Sequence, residues 1–122
     1  MISRIYSFNA VIDEISVVLS VLARATTQDS DQAADAFAAG AAELGLIEKQ
    51  LRFLDESAAD LATLDSALDE LATASPAIKQ RTLLAAAHVV SSNGQVLVTE
   101  FELLRAIAAT LDCPMPPLVP AP

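Results

Sequence analysis

The chain has 122 residues, which suits one domain with a single core. Seven basic residues against 16 acidic ones give a formal charge of −9, a field that repels nucleic-acid backbones, and no basic stripe or stacking aromatic pair offsets it. The lone cysteine, Cys113, excludes an internal disulfide and suits a reducing, cytoplasmic setting.

The charge is uneven. Residues 29–60 hold eight acids against Lys49 and Arg52, a net of −6, which reads as a solvated surface or a face for a basic partner. Hydrophobic residues make up 53% of the chain, so disorder is excluded for most of it. Much of that fraction is alanine, glycine is sparse, and the good helix formers dominate. The expected fold class is all-α, a compact bundle of five to six helices. Residues 1–113 are expected to form a single helical-bundle domain and residues 114–122 a proline-rich tail.

A first helix is expected over Ser3–Ala25. Ile5, Phe8, Ile12, Ile15, Leu19 and Leu22 recur at spacings of three and four and make one stripe. Asp13 and Arg24 lie off that stripe. It faces a bundle core or a second copy of the chain. Asp13 and Glu14 at the centre of the apolar stretch argue against a membrane span, and only Arg4 precedes it as a positive start for a secretory signal. Thr26–Asp31 is a polar break with capping residues. An alanine-rich second helix follows over Asp31–Leu44, with Gly45 placed as a C-terminal cap.

A short helical piece is expected over Ile47–Leu54, then a linker over Asp55–Asp60. Ser57 with Asp60 has the spacing of a capping box. Leu61, Leu64, Leu68 and Leu71 form the apolar line of a third main helix. Ser75-Pro76 restarts the chain as cap and first helical position. The next helix runs from Pro76 to Ser91, with Ile78, Leu83, Leu84, Ala87 and Val90 inward. Asn93-Gly94 marks a turn. The last helix starts at Val98 or Thr99 and turns Phe101, Leu104, Ile107, Ala108 and Leu111 to one face. Pro114, Pro116, Pro117 and Pro120 stop it, and Met115 and Leu118 are placed to pin the tail to the bundle.

Few residues carry chemistry. His88 is the only histidine, and no H-E-x-x-H or paired cysteines accompany it, so a His-rich or Cys-rich zinc site is excluded. Aligning Gly94 with the glycine of a calcium-binding EF-hand loop brings Ser91, Asn93 and Glu100 to ligand positions. Val89 then takes the first position and Leu97 the ninth, leaving one carboxylate where several oxygens are needed. Cys113 lies far in sequence from His88 and precedes a proline, a poor start for a catalytic dyad. Asp13-Glu14 and Glu100/Glu102 read as surface charge. No catalytic, cofactor-binding or metal residue is assigned, and no enzyme activity is expected of this chain.

The last third, SPAIKQRTLLAAAHVVSSNGQVLVTEFELLRAIAATLDCPMPP, resembles the C-terminal region of bacterial HtpX-like membrane zinc metalloproteases. The features that carry the likeness are Pro76 and Lys79, Leu83-Leu84, Asn93-Gly94, the run Glu102–Ile107 and Leu111–Pro117. The stretch Ala36–Gly40 through Leu44–Leu46 is also similar, so the likeness covers residues 33–119. The turn and the glutamate after it resemble TerB-like helical domains, although Asn93 stands where those commonly carry aspartate. The resemblance implies a non-catalytic accessory domain, tethered to the inner membrane through a parent protease and contacting its peptidase domain. A TerB-like stress-response module with weak metal binding at acidic surface sites is the alternative it implies. The family's zinc ligands and catalytic glutamate lie outside the matched region, so none is carried over.

Overall fold

The computed structural model describes residues 7–45, 47–92 and 96–115. Among them run five α-helices: α1 (Ile12–Thr26), α2 (Ser30–Ala41), α3 (Leu61–Leu71), α4 (Pro76–Val90) and α5 (Val98–Leu111). The all-α bundle read from the sequence is the fold, with no β-strand among the described residues. None of these helices is long and apolar enough to cross a membrane.

Helix α1 is the axis of the domain. It packs against α2, α3 and α4 and touches α5, while α5 closes against α3 and α4. Its entry differs from the sequence expectation. Phe8–Val11 is a 3-10 turn, capped where the Ser7 hydroxyl accepts the Asn9 N–H at 3.2 Å, so the α-helix starts at Ile12. Asp13 and Glu14 then fall in its first turn, where the helix dipole favours acids. Ile5 lies outside the described residues. Phe8 and Ile12 are half-buried, and Ile15, Leu19 and Leu22 are completely enclosed, but so are the residues between them. Every residue from Ile15 to Ala23 is buried. The apolar stripe is therefore buried within the single chain. It faces this domain's own core.

The caps explain the helix starts. Asp29 accepts the N–H groups of Asp31 and Gln32 at 2.9 and 3.1 Å and starts α2. Ser75 caps α4 through the Ile78 N–H, with Pro76 at the first position as expected. At α3 the cap is Asp60, whose carboxylate accepts the Thr63 N–H at 2.7 Å. Ser57 does not form the capping box. It donates to Asp55, which also accepts the Ala58 N–H, so Asp55 builds a separate turn. Leu61 stands 71% exposed ahead of the buried line Leu64, Ala67, Leu68 and Leu71.

The helix ends differ as well. Gly45 is right-handed (φ −44) and caps nothing in the left-handed manner; a 3-10 turn over Ala42–Leu44 ends this stretch instead. The left-handed cap belongs to Asp112 (φ 56, ψ 46) after α5. There Cys113 N–H bonds Ala108 C=O and Asp112 N–H bonds Ala109 C=O, the paired bonds of a Schellman ending. Met115 packs against the core, whereas Leu118 and the turn Asn93-Gly94 lie outside the described residues.

Small residues bring α2 and α4 together. A Cβ at Gly40 would run into the Val89 Cγ2 and lie 2.7 Å from the Ala85 carbonyl oxygen. At Gly45 a Cβ would meet nothing within 4 Å. Gly40→Ala is expected to lower stability by about 1–3 kcal/mol, because the crowding is against backbone. Gly45→Ala is expected to raise stability by about 0.4–1 kcal/mol through the unfolded chain. Urea unfolding of the two variants checks both signs.

Candidate functional site

The sequence candidates do not converge. His88, on the exposed side of α4, places its Nε2 3.1 Å from the Glu43 carboxylate in the 3-10 turn after α2. Beside this pair opens a hollow of about 180 Å³, walled by Phe8, Leu44, Ile47 and Arg81. Small-molecule sites usually run to roughly 300–1,000 Å³. Cys113 is half-buried, and its thiol points to the Leu111 carbonyl at 3.7 Å. Burial pushes that thiol above its ordinary pKa, partly offset by the charge of Lys79, which disfavours the nucleophilic thiolate.

The loop considered for calcium is occupied otherwise. Ser91 donates its hydroxyl to the Ala87 carbonyl at 2.8 Å, inside the last turn of α4. Asn93 and Gly94 lie outside the described residues. Glu100 is not surface charge. It is 3% exposed, and its Oε1 accepts the Leu97 N–H at 3.1 Å, which caps the start of α5. Its Oε2 has no partner among the described residues. Burial raises its pKa, with the Leu97 bond acting the other way. Among the described residues no three His, Cys, Asp or Glu side chains come together in a way that could hold a metal.

The most organised polar feature was not marked by any motif. Ser16, Ser20 and Arg24 stand four residues apart on α1; the two serines are the polar residues of its buried stretch Ile15–Ala23, and Arg24 follows it half-buried. They face the segment Leu51–Leu54, which runs extended from Leu51 (φ −72, ψ 142) and does not continue the expected helical piece; only Glu48–Gln50 turns, as a 3-10 segment. The Ser16 hydroxyl donates to the Ile12 carbonyl at 2.8 Å and accepts the Arg52 N–H at 3.1 Å. Ser20 accepts the Leu54 N–H at 3.0 Å and donates to the Arg52 carbonyl at 3.5 Å. Arg24 Nε donates to the Leu54 carbonyl at 2.8 Å. Its guanidinium carbon lies 4.3 Å above the Phe53 ring, which tilts against Phe37 with centroids 5.4 Å apart.

Geometry makes this match. Four residues of helix rise about 6 Å. Two residues of extended chain span about 6.6 Å. Ser16 and Ser20, four residues apart on α1, thus meet the backbone of Arg52 and Leu54, two residues apart on the segment, here called the strap, and Arg24 adds a second bond at Leu54. The sequence signal that could have revealed it is a polar line with period four through ISVVLSVLAR.

A scan against models of protein families, a search of curated proteins and a search of solved structures return no match.

Acidity sets the stability of this region in two directions. The raised native pKa of Glu100 means that the unfolded chain ionises first, near the ordinary glutamate value of about 4.5. The stability tied to neutral Glu100 is complete below that value and is lost as pH rises through the native pKa. Asp55 and Asp60 behave oppositely. Their hydrogen bonds, first those with Ser57 and Thr63, lower their pKa values, so their contribution is present above 3.8 and is lost as pH falls through the lowered values. Glu100→Gln removes only the first effect. Its stability relative to the wild type is expected to rise between about pH 4 and about pH 7, as read by urea unfolding at both ends. A difference that does not change with pH would refute this assignment.

Proposed function

We propose that the chain is a non-catalytic interaction domain. One observation carries this reading: its chemistry-bearing side chains are separately engaged in local structure. His88 pairs with Glu43, Ser91 with the Ala87 carbonyl, and Glu100 with the Leu97 N–H.

The resemblance of residues 33–119 supplies the context. It supports an accessory role beside the peptidase unit of an HtpX-like membrane zinc protease, recruiting substrates or regulating that unit from the cytoplasmic side. The metal-binding alternative needs carboxylates that converge. The acids of residues 29–60 that start helices and turns, Asp29, Asp55 and Asp60, are instead spent on backbone N–H groups.

The test starts from the gene. The reading frame upstream is expected to encode membrane spans and an H-E-x-x-H helix. The peptidase unit made from it is expected to bind this chain with micromolar affinity by calorimetry, while the chain alone with zinc leaves casein intact. Turnover by the chain alone would end the non-catalytic reading. An upstream frame lacking H-E-x-x-H would end the proposed parentage.

A further inference from the structure

We propose that the strap Leu51–Leu54 detaches from α1 and that the surface it covers is a binding site for an extended peptide. This rests on the interaction-domain reading and names the partner's chemistry: a short extended segment with an aromatic residue two positions after a leucine. The strap is itself a ligand of this kind. Its backbone at Arg52 and Leu54 is held by side chains of α1, and its aromatic ring sits between the Arg24 guanidinium and Phe37. A recognition that reads main-chain groups in a four-to-two register does not depend on the peptide belonging to the same chain.

Leu51 is buried at the start of the strap, but three observations make the strap separable. The segments flanking it, Glu48–Gln50 and Asp55–Ala58, are exposed throughout. The strap's hydrogen bonds to α1 run to side chains, not to a backbone ladder. A hollow of about 250 Å³ opens where Arg52 and Leu54 of the strap meet Asp13, Ser16 and Val17 of α1. Helix α1 also does without it. Ser16 already donates to the Ile12 carbonyl, Ser20 has a carbonyl four residues back to turn to, and Arg24 is half-buried with water in reach.

Tethering decides who occupies the site. A strap joined by short segments acts at an effective concentration of about millimolar. Free peptide then competes poorly in the wild-type chain and well once the strap is weakened.

The experiment titrates a fluorescent peptide of residues 50–55 into the full chain and reads anisotropy. Phe53→Ala is expected to bind it roughly tenfold more tightly than the wild type does, because the strap has lost its ring while the seat remains. Should that variant lose its helical circular dichroism, Leu54→Ala, at a half-buried position, takes its place. Adding Arg24→Ala to either variant is expected to abolish the gain, and a peptide of the same composition with phenylalanine moved to its first position is expected not to bind. Folded strap variants that bind no better than the wild type would overturn the proposal. A null result while the peptidase unit still binds removes the strap site alone; loss of both removes the interaction reading with it.

Discussion

A stretch of helix enclosed on every side, as Ile15–Ala23 of α1 is, has to satisfy whatever polar atoms it carries; two serines lie inside it and Arg24 stands half-buried at its end. A buried hydroxyl or N–H without a partner costs about 1–3 kcal/mol. Here the cost is avoided on both sides at once. The strap's N–H groups at Arg52 and Leu54 would have no ladder to join, and Ser16 and Ser20 supply the acceptors. The remaining carbonyl of Leu54 takes the Arg24 donor. Because the strap lies over the face that α2, α3 and α4 leave uncovered, α1 becomes a true core element rather than an amphipathic wall.

That enclosure imposes small residues elsewhere. With α1 at the centre, α2 and α4 can both reach it only by approaching each other closely, and Gly40 beside Ala85 and Val89 allows this. Alanines at Ala33 and Ala36 of α2 and at Ala85 and Ala86 of α4 are buried as well. The alanine richness of the sequence is thus a packing requirement, as well as a helix preference.

Helix starts were legible because a cap is local chemistry. Asp29 and Ser75 with Pro76 are read within three residues, and the structure uses them so. Ser57 shows the limit. Two acids flank it, and Asp55 captured its hydroxyl, leaving Asp60 to cap α3. The stripe of α1 was legible, but not the burial of its far face, since the partners of Ser16 and Ser20 lie 34 to 36 residues further along the chain. Leu51 and Leu54 have helical spacing, and tertiary bonds override it. Gly45 looked like the left-handed cap, yet that conformation falls on Asp112, one of the few side chains that tolerate it. Of the candidate site, no sequence motif marked it, because a ladder that binds backbone needs only hydroxyls and a guanidinium at the right period.

The polar line of Ser16, Ser20 and Arg24 on the central helix is what holds the strap in place. The structure makes α1 the central helix of a single chain, with Ile15–Ala23 enclosed. Leu19, completely buried at its middle, tests that placement. Urea unfolding of Leu19→Ala across a wide range of protein concentration is expected to show a loss of about 2–5 kcal/mol and a midpoint independent of concentration. A near wild-type midpoint, or one that climbs with concentration, would contradict it.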